Sequence, residues 1–171
     1  MPELPEPVAP ARDGAAASVG GTYAPAADLH RMPGHLIRRL HQQGVALYAQ
    51  HAGASELTPV QYATLHAIGA WPGSDQVGIG RAIACDKATV GAVLDRLQAK
   101  GLVERRPDET DRRAWRLRLT PAGAETLART EPLVGRIQAE LLAPLTDAEA
   151  RQLMALLAKL VGPMPVPGSP R

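Results

Sequence analysis

The chain has 171 residues, of which 45% are hydrophobic and 21% charged, as in an ordinary globular protein of about one domain. No apolar run is long enough to cross a bilayer, no secretory signal begins the chain, and its one cysteine cannot form an internal disulfide. These features predict a cytoplasmic protein. The net charge of +2 is compatible with a nucleic-acid partner but is weak evidence by itself.

The first half of the chain is punctuated by clear helix signals. Residues 1–28 are rich in Pro, Ala and Gly and are predicted to form a disordered arm. A first helix is predicted from His35 to His51, after a Pro-Gly pair. A second is predicted from Thr58-Pro59-Val60-Gln61, where the threonine caps, the proline suits the first helical position and the glutamine completes a capping box.

A short helix and a longer one are predicted next, and they define one buried and one exposed face. The short helix covers residues 75–84. Asp86 is the predicted cap of the longer helix, which ends at Lys100 with Gly101 as its stop. The helical spacing of its apolar residues predicts a buried face. That face carries Val90, Val93, Leu94 and Leu97.

A β-hairpin with a charged tip is predicted after Gly101. Its first strand is Leu102–Arg106, its turn lies at 107–111, and its second strand is Arg112–Leu119. In the second strand apolar residues alternate with arginines, which predicts that one face is buried. The apolar residues are Trp115, Leu117 and Leu119.

The remaining residues are predicted to form two helices and a tail. Thr120-Pro121 opens a long helical region in which Pro132 and Gly135 predict a kink or a break. Thr146–Glu149 is a capping box that opens a last helix with a wide apolar stripe, which would be a large exposed patch unless a partner helix buried it. The stripe carries Leu153, Leu156, Leu157, Leu160 and Val161. Residues 162–171 contain four prolines and are predicted to lack regular structure.

This order predicts a mainly α fold with a small β-hairpin wing. Residues 57–121 would form a winged helix-turn-helix lobe, and residues 29–56 and 122–161 a helical dimerisation domain. In such a lobe one helix enters the major groove of DNA and the hairpin reaches the adjacent minor groove. We expect Thr89 to contact a base or phosphate and Ala92 a thymine methyl, with Lys87 and Arg96 on phosphates.

Three stretches of the sequence resemble the MarR family of transcription regulators. The segment from Ile83 to Arg105 is similar to the family's recognition-helix region, and the segment from Asp111 to Gly123 to its wing and the start of its fifth helix. The segment from Leu57 to Tyr62 resembles the opening of its second helix. The resemblance covers about residues 30–161 and implies a homodimer that binds a pseudo-palindromic operator in double-stranded DNA, usually as a repressor.

The resemblance also assigns roles to wing residues. It implies that Arg113 enters the minor groove and that Asp111 orients this arginine through a charged hydrogen bond. Many relatives carry a longer polar residue at the position of Ala92, so base readout there is expected to be reduced. The predicted DNA-contact residues are Lys87, Thr89, Val90, Ala92, Arg96, Arg106, Asp111, Arg112 and Arg113. The alternative is that the wing arginines, Lys87 and Arg96 are ordinary surface charge.

Most members of the family respond to a small molecule, often an aromatic or phenolic acid. The resemblance therefore implies repression of a catabolic or efflux operon that an aromatic or N-heteroaromatic carboxylate relieves. An arginine of the first helix can clamp a carboxylate, and histidines can hydrogen-bond a phenol or pyridone. The candidate effector residues are His35, Arg38, Arg39, His41, His66 and Trp71. The alternative is that Arg38 and Arg39 form ion pairs.

Other functions find less support in the sequence. A winged-helix module that binds proteins instead of DNA is one alternative, and a redox sensor that uses Cys85 is another, although a small buried cysteine is the commoner case. The histidines lack the spacing of a metal site. No catalytic or nucleotide-binding motif is present, so neither an enzyme nor a bound cofactor is expected.

Overall fold

The predicted mainly α fold with a β-hairpin is confirmed. The computed structural model describes residues 29–51, 57–108, 115–163, 165 and 167. The elements are a 3₁₀ helix (Leu29–Arg31), α1 (Pro33–Gln50), α2 (Pro59–Ala70), α3 (Gln76–Ala82), α4 (Lys87–Ala99), β1 (Val103–Pro107), β2 (Trp115–Leu119), α5 (Pro121–Leu142) and α6 (Asp147–Val161). The predicted arm at 1–28 lies outside the described residues.

The helix starts predicted from capping residues are confirmed. At α2 the Gln61 amide donates to Thr58 Oγ1 at 3.4 Å, and the Gln61 side chain accepts the Thr58 N–H at 3.0 Å. The same reciprocal pattern joins Thr146 and Glu149 at α6. Asp86 caps α4, and Gly101 follows that helix with a positive φ of 69°. These caps satisfy amides that have no partner within the helix.

The core of the lobe lies where α2, α3, α4 and the hairpin meet. The inner face of α4 packs there against apolar residues of the other elements. The side chains in this core that are almost fully buried are Leu65, Ile68, Ile79, Val90, Leu94, Leu97 and Leu117. Burial of each of these aliphatic side chains contributes about 1.5–3 kcal/mol to the free energy of unfolding. Because no phenylalanine is present, branched aliphatic residues supply most of this packing.

The hairpin is antiparallel, with Val103 opposite Leu119 and Pro107 opposite Trp115. Leu117, near the middle of β2, is 1% exposed, whereas Trp115 is 53% exposed. The prediction that Trp115 belongs to the buried face is therefore wrong. Alternation placed it on the same side of the strand as Leu117, but there it lines an open pocket with Gln76 and Gln98 instead of packing in the core.

The fifth helix runs from Pro121 to Leu142 without a break, so the predicted break is wrong, whereas the predicted kink stays a prediction. Pro132 lacks an N–H and leaves one carbonyl of the preceding turn without its helical partner. Leu133 and Ile137 are 4% and 1% exposed on the buried face of the same helix. Their burial holds the backbone helical on both sides of the proline.

The start of α5 is joined to the strand side of the lobe by a very close backbone approach. The Thr120 N–H donates to the Leu102 carbonyl at 3.1 Å, and the Gly123 N–H donates to Thr120 Oγ1 at 3.0 Å. A Cβ atom at Gly123 would lie 1.9 Å from the Leu102 oxygen. Only glycine fits this position without moving backbone.

We predict that Gly123→Ala lowers the free energy of unfolding by about 3 kcal/mol, because the added methyl group must displace a hydrogen-bonded backbone carbonyl. Thermal unfolding at one fixed protein concentration measures the effect. The matched control is Gly135→Ala in the same helix, where a Cβ meets nothing within 4 Å. That change should raise stability by about 0.5–1 kcal/mol. Equal effects of the two substitutions would contradict the close approach.

Candidate nucleic-acid interface

The helices α3 and α4 and the turn between them form the predicted helix-turn-helix. The Cys85 N–H donates to the Gly80 carbonyl at 2.9 Å and closes the turn. Ala84 has a φ of 53°, the left-handed conformation that reverses the chain here. A Cβ at Gly80 would lie 3.2 Å from the Cys85 oxygen, so the small residue lets the two helices approach.

The outer face of α4 is exposed, as the apolar spacing predicted. Lys87, Thr89, Ala92 and Arg96 all have exposed side chains. Val90, which the sequence also placed among the DNA-contact residues, is 0% exposed and packs in the core. The assignment of Val90 to the interface is therefore wrong. Successive residues of a helix are rotated by about 100° around its axis, so Val90 points inward although Thr89 before it is exposed.

Charges on and beside α4 divide into paired and unpaired groups. Asp95 accepts from Arg105 of β1 at 2.7 Å, and Arg106 donates to Glu104 of the same strand at 2.8 Å. Within the part of the chain that the structure describes, neither Lys87 nor Arg96 has an ion-pair partner. Both cations on the outer face of α4 are therefore available to phosphate oxygens, whereas Arg106 is partly neutralised.

The first turn of α4 is organised by Asp86. One carboxylate oxygen accepts the Thr89 N–H at 2.9 Å, and the other accepts the Thr89 hydroxyl at 2.6 Å. The hydroxyl and then the amide hydrogen bond lower the pKa of the Asp86 carboxyl below its usual range. The carboxylate is therefore ionised at neutral pH and accepts hydrogen bonds without donating any.

The hairpin is anchored to the turn between α2 and α3 by a residue whose role the sequence did not reveal. Arg116 donates through Nε to Asp108, which is 9% exposed, and through Nη1 to the Gly73 carbonyl at 3.2 Å. Backbone bonds add to this anchor: Gly73 N–H to the Leu117 carbonyl and Leu117 N–H to the Ser74 carbonyl, each at 2.9 Å. The sequence placed Arg116 only among the arginines that alternate with apolar residues in the second strand.

The wing-tip residues Asp111, Arg112 and Arg113 lie outside the described residues, and their contacts with DNA stay predictions. Arg116 and Asp108 stand on the two sides of that segment. Arg116 joins β2 to the turn between α2 and α3, and its bond to Asp108 joins β2 to the residue that follows β1. The clearest signal in the sequence was an acidic residue, Asp108, close to a surplus of arginines.

Two candidate effector residues line one open cavity. The chain divides into compact units between Arg39 and Leu40. In the described part of the first unit, His35 and Arg38 lie beside Leu29 and Met32 around a cavity of about 550 Å³. Partial burial, followed by the charge of Arg38, lowers the pKa of His35, so its imidazole is neutral at pH 7. A guanidinium beside a neutral imidazole and apolar atoms suits an aromatic carboxylate.

The other candidate effector residues occupy different surroundings. Arg39 and His41 are exposed on α1. His66 lies on α2 with its ring 5.9 Å from that of Tyr62, and burial raises the pKa of the Tyr62 phenol. Trp71 caps the end of α2 and packs against the core of the lobe. Packing within the lobe therefore explains the presence of Trp71 without a bound effector.

The described residues carry little that suits other functional classes. No group of three or more His, Cys, Asp or Glu side chains there is placed to hold a metal ion. Cys85 is half-buried against the core, which favours a small hydrophobic role. Among the described helices none is both long and apolar enough to cross a membrane.

Comparison with known proteins finds relatives among transcription regulators. The sequence model of the MarR family matches residues 55–114. The chain is 33% identical over 134 residues to the HTH-type transcriptional repressor NicR of Pseudomonas putida, an alignment that covers 78% of this chain and 85% of NicR.

Two solved structures are similar over nearly their whole length. The PcaV transcriptional regulator of Streptomyces coelicolor, in complex with its natural ligand, has 36% identity and a TM-score of 0.73, covering 80% of this chain and 96% of PcaV. BpsR of Bordetella bronchiseptica, whose DNA binding is regulated by 6-hydroxynicotinic acid, has 31% identity and a TM-score of 0.76. That alignment covers 84% of this chain and 99% of BpsR.

Proposed function

Since this chain belongs to the MarR family and is a DNA-binding transcription regulator, we propose that it acts as a homodimeric repressor that an aromatic carboxylate releases from a pseudo-palindromic operator. The observation that carries the proposal is the outer face of α4. The inner face of this helix is buried in the core, while Lys87, Thr89 and Arg96 on the outer face are exposed to solvent.

A helix of this kind suits the major groove. Side chains on its middle are short, so the backbone approaches base edges closely, and cations stand at both ends of the exposed stripe. The hairpin that follows is fixed to the same lobe by Arg116 and is suited to the neighbouring backbone or minor groove. Phosphate contacts from Lys87 and Arg96 would position the lobe, and contacts from Thr89 and Ala92 would read bases.

We predict that Lys87→Ala weakens binding to the DNA upstream of its own gene by about tenfold at moderate salt. The plot of log affinity against log salt should become shallower by about two, since a dimer loses two phosphate contacts at about 0.9 each. Fluorescence anisotropy across a salt series measures both quantities. Arg136→Ala, which removes an exposed cation of α5, is the matched control and should change neither.

If the wild-type chain bound that DNA no more tightly than random DNA, the proposal would be contradicted. It would favour the alternative that the lobe binds proteins. An unchanged salt slope in Lys87→Ala would remove only that residue from the interface.

Support for a homodimer comes from α6. This helix is well capped but has no buried residue, and its apolar side chains are open to solvent in the single chain. The exposed fractions are 56% for Met154, 51% for Leu156, 75% for Leu160 and 73% for Val161. A contiguous apolar stripe of this size is typical of an interface. A second copy of α6 would bury it by a two-fold contact.

We predict that Leu160→Asp converts the protein to a monomer at micromolar concentration, because the interface would bury an unpaired carboxylate. Sedimentation velocity measures the oligomeric state. The control is Val77→Asp on α3, which also places a carboxylate on an exposed apolar position, 45% exposed, and should leave the dimer intact. A wild-type chain that remains monomeric at high concentration would refute the homodimer.

Support for an aromatic carboxylate comes from the cavity beside α1 and from the relatives. PcaV is solved with a natural ligand, and 6-hydroxynicotinic acid regulates DNA binding by BpsR. In this chain Arg38 would bind the carboxylate bidentately, and neutral His35 would hydrogen-bond a ring substituent. The apolar side chains of Leu29 and Met32 would pack on the ring.

We predict that 6-hydroxynicotinic acid raises the melting temperature by several degrees at 100 times its Kd, equivalent to about 2.7 kcal/mol, and weakens DNA binding. Arg38→Gln should abolish the shift. Arg39→Gln, which changes the neighbouring arginine outside the cavity lining, should retain it, and the neutral amide nicotinamide should give none. A shift retained in Arg38→Gln would place the acid elsewhere.

A further inference from the structure

We infer that Asp86 and Thr89 form an acceptor-only pair that makes α4 select cytosine at one position of each operator half-site. The inference deepens the proposed function, since it rests on α4 entering the major groove. The sequence had assigned Asp86 only a capping role. It had left Thr89 free to contact either a base or a phosphate.

The hydrogen bonds between the two residues determine what each can offer to DNA. Asp86 is ionised and has no proton to donate, so the 2.6 Å contact between the two side-chain oxygens must be donated by the Thr89 hydroxyl. A charge-assisted O–H···O⁻ bond of this length is among the stronger hydrogen bonds in proteins. With its hydrogen committed, the hydroxyl oxygen presents only lone pairs outward. The carboxylate likewise presents only lone pairs.

Phosphate contact by this pair is disfavoured for the same reason. A phosphate oxygen accepts hydrogen bonds and carries negative charge, as the carboxylate does. If the Thr89 hydroxyl donated to a phosphate instead, its hydrogen bond to Asp86 would have to break. Lys87, the next residue and also exposed, is the group in this turn that suits a phosphate.

Base edges in the major groove differ in what they can donate. Guanine presents two acceptors, and thymine presents an acceptor and a methyl group. Adenine has a donor amino group, but its N7 acceptor lies beside it. Cytosine presents its N4 amino group with a C–H on one side, so two neighbouring acceptors meet the least repulsion there. Aspartate and glutamate accept from cytosine N4 in known complexes.

Both residues are placed to reach a base edge. They lie in the first turn of α4, the part of a recognition helix that contacts bases, and both side chains are exposed. Burial of Val90 fixes the rotation of the helix, so Asp86 and Thr89 remain on the outer side. The cap itself holds the two oxygens in place before DNA arrives.

The test is a selection from random duplexes with the full chain, followed by sequencing. Wild type should enrich a two-fold symmetric site with cytosine at one position in each half. Asp86→Asn keeps the helix cap, since asparagine caps as well as aspartate, but brings an NH₂ donor to the pair. It should lose about tenfold or more of the preference for cytosine over guanine at that position. The rest of the site should be unchanged.

Two further variants complete the test. Thr89→Val keeps the methyl group and shape but removes the acceptor, and should weaken the same preference. Asp95→Asn, the same change about two and a half turns along α4, should keep the wild-type site because Asp95 pairs with Arg105. Circular dichroism and melting curves establish that each variant is folded.

The outcomes separate this inference from the proposed function. A wild-type chain that enriches no sequence overturns the proposed DNA readout and this inference with it. A wild-type chain that enriches a symmetric site, while Asp86→Asn and Thr89→Val both select that site unchanged, overturns only the role of the pair. Selection of guanine or thymine opposite these residues by the wild type does the same.

Discussion

Burial of the inner face of α4 is the constraint on which the lobe depends. Val90, Leu94 and Leu97 lose all contact with water in a core shared with α2, α3 and the hairpin. A helix of 13 residues with its apolar stripe held on three sides cannot rotate, because rotation by one residue would expose aliphatic side chains and bury charged ones. Hydrophobic packing therefore determines which side chains of α4 face solvent.

Local chemistry explains why much of this fold could be predicted. Capping residues, the proline at the first position of α2 and the glycine after α4 each satisfy or end a backbone pattern within a few residues, so the sequence carries their signal directly. The burial of Trp115 and a break at Pro132 were wrongly predicted because both outcomes depend on distant packing. Trp115 lines an open pocket of the hairpin instead of joining the core, and buried neighbours outweigh the missing hydrogen bond at Pro132.

The candidate site could be predicted to a similar extent, and its prediction failed for similar reasons. Spacing identified the exposed stripe of α4, yet it could not show that the Thr89 hydroxyl is already committed to a carboxylate or that Arg116 spans from the hairpin to Gly73. Both facts concern which partner a polar side chain chooses among several in reach. Such choices depend on orientation and distance in three dimensions, which helical or strand periodicity does not encode.

The close approach at Gly123 has a mechanical consequence. Because the first turn of α5 is hydrogen-bonded to the end of the segment that joins α4 to β1, lobe and helix start must move as one body. With 22 residues, α5 is a lever about 33 Å long. A tilt of about 5° along its length displaces one end by roughly 3 Å relative to the other. That displacement is about the spacing between successive base pairs of DNA.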